Sequence, residues 1–294
     1  MRLKIELFAE KQVKLPIGFN EYFQALIYKY LNVDAAVWLH NTGYRLEEKN
    51  FKFFTFSPFL EKASFFPKEK FFLFPQKVSF YIASPLDWIL EQFAVNISKT
   101  EELWIGMEFP FANRFVVSSI DIIKEERFTS PVIKVKAITP IEVHSTFRTA
   151  DNLKKTHYYT PFEAEFSQMV DMNLGRKWKA LFKQDCPHHL KIKPLFHGNG
   201  NERIFYFGVG ERKTLIKGWK GVYLVEGDPR FLEFGYASGL GSRNTNGCGL
   251  VELVSQGAGA QGKEGNRINR GHLRLRKFFK VKRRFKGNEQ YQTV

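Results

Sequence analysis

Gly239-Leu240-Gly241-Ser242-Arg243-Asn244-Thr245-Asn246-Gly247-Cys248-Gly249 is the stretch on which the fold turns. Its glycines are spaced G-x-G-x5-G-x-G. A phosphate-cradling P-loop needs Gly-Lys-Ser/Thr at the opening of a helix, and that string is missing here. A dinucleotide-binding loop follows a strand and precedes a helix. This loop has the reverse order. Asp228-Pro229 starts a short helix before it, and residues 247–254 read as a strand after it. A phosphate bound here would not face a helix N-terminus, which excludes a doubly wound nucleotide-binding fold. The loop itself supports two readings. Its glycines permit positive φ in a tight connection. Alternatively Gly239, Gly241, Gly247 and Gly249 let backbone N–H groups approach an RNA phosphate beside Arg243 and Asn244.

Outward from the loop, the order of elements is regular. A strand at about 2–9 precedes Leu15-Pro16-Ile17-Gly18 and a helix over 19–31. Its apolar stripe is Phe19, Tyr22, Phe23, Leu26, Ile27, Tyr30 and Leu31, at offsets of one helical face. Aromatic strands follow at 51–57 and 78–82. Ser84-Pro85-Leu86-Asp87 predicts a helix with Ser84 as N-cap and Pro85 at the first helical position. Strands follow near 103–107 and 114–123. The second half repeats the pattern, with strands near 132–135 and 141–145. Thr160-Pro161-Phe162-Glu163 opens a helix that carries Phe162, Phe166, Met169 and Val170 on one face. Strands come next near 190–195, 203–207 and 222–226. The expected fold is α+β: two tandem ferredoxin-like, RRM-like β-α-β-β-α-β domains at 1–124 and 125–255.

Charge divides the chain. The formal net charge is +15. Residues 263–286 hold eleven Lys/Arg and one acidic residue, after the Gly-rich segment 255–262. A tail at 256–294 therefore carries +9 once Glu289 is counted, leaving +6 for residues 1–255. It reads as disordered and outside the folded body. So basic a surface favours nucleic acid or anionic lipid as partner. No apolar run approaches the roughly 18–20 residues of a membrane span. The N-terminus lacks a signal-peptide pattern, and Cys186 and Cys248 give no disulfide framework, so a cytoplasmic protein is expected.

Taken together, this organisation resembles the CRISPR-associated repeat-processing endoribonucleases, the sixth Cas family. The residues that carry the resemblance are Leu26-Ile27-Tyr28, Trp38-Leu39-His40, residues 51–57, and the run from Gly241 to Val251. It covers residues 1 to about 254. It implies two ferredoxin-like domains and cleavage within the repeats of precursor CRISPR RNA without metal or cofactor, leaving a 2′,3′-cyclic phosphate. In the archaeal-type members that this chain looks most like, the site is a Tyr, a His and a Lys. These map to Tyr28, His40 and Lys52. A homodimer and contacts with interference-complex subunits are compatible with that resemblance. A non-catalytic RNA-binding subunit of such a complex is the alternative.

The residues themselves can be weighed beside it. Tyr28 falls opposite the apolar stripe of its helix, with Glu21 and Gln24, where a ligand or solvent is expected. His40 ends a short helix at 34–41, where it can complement the dipole or move a proton near neutral pH. Lys52 lies between phenylalanines on both parities, so alternation does not choose its face. Transesterification needs a base, an acid and a cation, and which of Tyr28 and His40 is base stays open. Cys186, His188, His189 and His197 match no zinc spacing and read as a loop before a strand. The RNA-binding signature of a generic RRM is missing from the sequence.

Overall fold

The computed structural model describes residues 1–106, 110–123, 127–209, 213–254 and the backbone of 272–274. The N-terminal half runs β1 (Arg2–Phe8), β2 (Val13–Pro16), α1 (Asn20–Lys29), α2 (Val33–Asn41), β3 (Tyr44–Leu46), β4 (Lys49–Phe51) and β5 (Thr55–Phe56). It continues with β6 (Ser64–Phe66), β7 (Phe71–Phe74), β8 (Lys77–Ala83), α3 (Asp87–Ser98), β9 (Leu103–Ile105) and β10 (Asn113–Ile123). Its main sheet has the order β10-β1-β8-β5, with every pair antiparallel. Leu3, Ile5 and Leu7 of β1 alternate into a core with Val78, Phe80 and Ile82 of β8. Helices α1 and α3 cover that face with Phe23, Leu26, Ile27, Leu90 and Phe93. A bulge opposite Glu6 and Leu7 leaves Ser118 unpaired. It explains why the inward parity of β10 changes from Phe115 and Val117 to Ile120 and Ile122.

The C-terminal half runs β11 (Val132–Ile141), β12 (His144–Arg148), β13 (Lys154–Tyr158), α4 (Ala164–Phe182), β14 (Leu190–Pro194), β15 (Glu202–Phe207), β16 (Thr214–Gly227), α5 (Pro229–Ser238) and β17 (Val251–Leu253). Its sheet has the order β14-β16-β11-β17. In both halves, the strands that frame the two main helices lie in the spatial order fourth, first, third, second. The second core gathers Val135, Phe166, Val170, Leu174, Tyr223 and Phe231.

Arg2 ties the halves together. It is almost wholly buried, donates to the Val251 carbonyl at 2.8 Å and to the Tyr236 hydroxyl at 3.0 Å, and lies 4.1 Å from the Tyr236 ring centroid. These charge-assisted bonds from its two terminal nitrogens offset the cost of burying a cation.

Several sequence expectations change here. The aromatic stretch 51–57 is two strands, broken at residues 52–54. Phe53 takes φ 53 and turns into the second core, while Phe54 and Phe56 enter the first. Two cores compete for one aromatic run, and the backbone breaks between them. Ser84 does not cap α3. The helix starts at Asp87 behind Leu86, and the Ser84 hydroxyl instead bonds Phe53 O and Leu86 N. Likewise α4 starts at Ala164, after a turn in which the Glu163 carboxylate accepts from Thr160 N–H, and Phe162 is exposed. The strands expected near 132–135 and 141–145 divide differently. They form the continuous β11, irregular between Ala137 and Ile141 where Pro140 lacks an N–H, followed by β12. The last strand is shorter than expected. Residues 124–126, at the expected domain boundary, lie outside the described residues. So does the 256–294 tail, apart from His272–Arg274. That short strand, β18, adds antiparallel to the edge of β10 at residues 121–123. No described helix is long and apolar enough to cross a membrane.

Candidate RNA-processing site

Helices α1 and α2 enclose an open groove of about 550 Å³, lined by Glu21, Gln24, Tyr28, Lys29, Val37 and His40, among others. The outward face of α1 thus becomes one wall of a cleft. The apolar stripe keeps Tyr30 buried in the core. Tyr28, set off that stripe, meets the His40 ring edge-on with centroids 5.3 Å apart. Phe54 supports its other side at 5.5 Å. This enclosure raises the Tyr28 phenol well above its ordinary pKa, because burial penalises the phenolate. Tyr28 therefore stays protonated, which leaves its hydroxyl able to donate a hydrogen bond into the groove.

His40 sits in the last turn of α2, exposed, with Nδ1 2.9 Å from the Asn41 side-chain oxygen. Lys52 occupies the break between β4 and β5. Its ammonium donates to the His40 backbone carbonyl. A cation there satisfies an orphan carbonyl at the helix C-terminus and fixes the histidine's segment. Partial burial pushes the Lys52 pKa down. Tyr28 and His40 thus share the groove, while Lys52 reaches its end through the His40 backbone and does not line it. Lys29 does line it, a cation that the sequence reading passed over because it belongs to no motif.

The glycine loop packs against this region. Gln24 donates to Thr245 O at 2.7 Å, and Asn20 to Asn246 O at 3.0 Å. Gly239, Gly241, Gly247 and Gly249 all take positive φ. At Gly249 a Cβ would stand 2.1 Å from Leu240 O, and at Gly241 2.4 Å from Glu142 O. Only glycine permits these approaches. The buried Asn244 amide donates to Cys248 O at 3.2 Å, bracing the loop from inside. Arg243, also at positive φ, is partly exposed.

Beneath the loop lies Lys177, missed from sequence. It is almost wholly buried and donates to Gly239 O at 2.7 Å and Gly241 O at 3.1 Å. Burial lowers its pKa from 10.5 to about 7. A signal was available: Lys177 extends the α4 stripe of Phe166, Val170 and Leu174 at helical spacing, where a charge is out of place. In the Cys186–His189 segment, the Cys186 thiol donates to His188 O and His189 pairs with Asp171.

These features define an α+β protein built on two antiparallel sheets, with a helix-walled groove beside a glycine loop. The same fold occurs in a solved RAMP protein described as binding different RNA substrates, with a TM-score of 0.68, 22% identity, and coverage of 86% of this chain and 99% of that one. Residues 123–253 match the family described as CRISPR associated protein Cas6, C-terminal. The similarity extends beyond that domain. The chain is 26% identical over 257 residues to CRISPR-associated endoribonuclease Cas6 1 of Methanocaldococcus jannaschii, covering 86% of this chain and 93% of the relative. It is 25% identical to CRISPR-associated endoribonuclease Cas6 of Pyrococcus furiosus over 276 residues, covering 91% and 96%.

Proposed function

We propose that the protein is an endoribonuclease that cuts precursor CRISPR RNA within its repeats. The observation that carries this reading is the pairing of Tyr28 and His40 across one groove, in a chain similar along most of its length to Cas6 endoribonucleases. Two ferredoxin-like domains, meeting near residue 124, are the architecture we infer, and the matching strand order of the two sheets supports it. The basic balance of the chain supports an RNA partner.

The chemistry is a transesterification without metal or cofactor. A ribose 2′-oxygen attacks the adjoining phosphorus and the bond to the 5′-oxygen breaks. The products are a 2′,3′-cyclic phosphate and a 5′-hydroxyl. His40 takes the 2′-hydroxyl proton. Tyr28, held protonated by its burial, donates toward the leaving 5′-oxygen. Lys52 has N–H groups beyond the one given to His40 O, and these oppose the extra negative charge on phosphorus. Gly239, Gly241, Gly247, Gly249 and Asn244 shape the loop that presents Arg243 to RNA. Such a protein works in the cytoplasm on repeat RNA, as a monomer or homodimer, alone or beside interference-complex subunits. The test is a labelled RNA carrying a CRISPR repeat, incubated with protein in excess EDTA. Cleavage at one position within the repeat, with a cyclic phosphate end, is expected. Binding without cleavage would favour the non-catalytic subunit, and cleavage that needs an added divalent ion would refute the mechanism.

A further inference from the structure

Glu142, His144 and Arg243 form a second cluster of ionisable groups, outside the α1–α2 groove. Glu142 follows β11, and its side chain has no solvent exposure. His144 opens β12, with Nδ1 2.5 Å from Glu142 Oε1. A carboxylate only accepts, so Nδ1 carries the proton and donates it. In the neutral ring this leaves an acceptor lone pair at Nε2. No described residue engages Nε2, and the His144 side chain is 24% exposed. The other Glu142 oxygen, Oε2, lies 3.9 Å from Arg243 Nε. Both atoms are buried and neither has a hydrogen-bond partner among the described residues. Glu142 also holds the loop by its backbone, accepting from Ser242 N–H at 2.7 Å. One buried carboxylate therefore sets an oriented acceptor nitrogen and a partly exposed guanidinium side by side.

We propose that this cluster is a ribose–phosphate subsite, in which Arg243 holds a phosphodiester, His144 Nε2 accepts a hydrogen bond from the neighbouring 2′-hydroxyl, and Glu142 positions both. It rests on the RNA-processing reading above. The 2′-hydroxyl is the group that separates RNA from DNA, and an acceptor with a fixed tautomer reads it directly. The subsite is continuous with the groove. Gln24 lines the groove beside Tyr28 and holds Thr245, two residues from Arg243 on the same loop. Beyond His144 the β12–β13 hairpin exposes Phe147, Arg148, Lys154 and Lys155, a basic and aromatic surface suited to continuing single-stranded RNA.

The experiment compares binding of a fluorescein-labelled 20-nucleotide RNA with its 2′-deoxy counterpart, by anisotropy, on the full chain. His144→Ala is expected to weaken RNA binding about five-fold, the value of one hydrogen bond. DNA binding should change by less than about two-fold, so the preference for RNA collapses. Arg243→Ala should weaken both and lower the salt slope by about one charge. Glu142→Gln, with its melting temperature recorded, should reduce the RNA preference as His144→Ala does. Equal losses for RNA and DNA in His144→Ala, or no loss, would overturn the subsite. So would a His144→Ala protein that binds RNA normally but no longer cuts, since the cluster would then be catalytic. A wild-type protein that never cuts repeat RNA removes the underlying reading instead. One that cuts while His144→Ala leaves the RNA preference unchanged removes only the subsite.

Discussion

Lys177 offers the sharpest physical test. Its pKa is lowered from 10.5 to about 7 by burial, and the two carbonyls it serves need only two N–H groups, which a neutral amine supplies. The folded state therefore holds this amine neutral above about pH 7, while the unfolded chain keeps its proton up to about 10.5. Across that window the unfolded state binds more protons, so this residue makes stability rise with pH. The slope is at most about 1.4 kcal/mol per pH unit, or roughly 5 kcal/mol across the whole window. For a chain of this size that corresponds to about 2 °C in melting temperature per unit. Below about pH 7 the slope vanishes, because both states are then protonated, and the destabilisation stays at its full value. Lys177→Met keeps the aliphatic stem and removes the titration. Thermal melts at pH 7, 8, 9 and 10 should show the wild-type minus variant difference growing with pH. Other groups titrate in both proteins and cancel in that difference. A pH-independent difference would mean that Lys177 remains a buried ammonium, and the account of the loop support would be wrong.

The remaining predictions concern the site and the loop. His40→Ala and Lys52→Ala should each slow single-turnover cleavage by about 10²–10⁴-fold, the usual worth of acid–base help, whereas Tyr30→Phe, in the core, should stay active; wild-type rates for both alanine variants would refute the site. Gly249→Ala puts a Cβ 2.1 Å from Leu240 O at φ 76, so it should lower the melting temperature measurably, and an unchanged melt would show that the loop can shift. Deleting residues 256–294 should keep the fold and the cleavage position while weakening low-salt binding to unrelated RNA; a truncated chain that unfolds would show that the β18 pairing matters to the sheet.

Local patterns in the sequence determined the parts of this protein that depend on near neighbours. Helical spacing placed Phe23, Leu26, Ile27 and Tyr30 on one face and Tyr28 off it; the structure buries the first four, while Tyr28 lines the groove half-buried against the edge of the same core. The helix-then-strand order around the glycine loop ruled out a nucleotide-binding fold, because chain order alone decides which way a loop's amides point. What the sequence could not reach is where distant segments meet. Phe53 has phenylalanines on either side, and only the presence of a second core explains why it leaves the strand. Lys52 has no face by alternation, and its partner is the carbonyl of His40 across a helix end. Glu142 and Arg243 stand about a hundred positions apart in sequence, and Lys177 serves carbonyls more than sixty positions away. Burial and pairing are properties of that convergence. They turn a lysine on an apolar stripe into a loop support, and they set a carboxylate where it can hold a histidine and an arginine together.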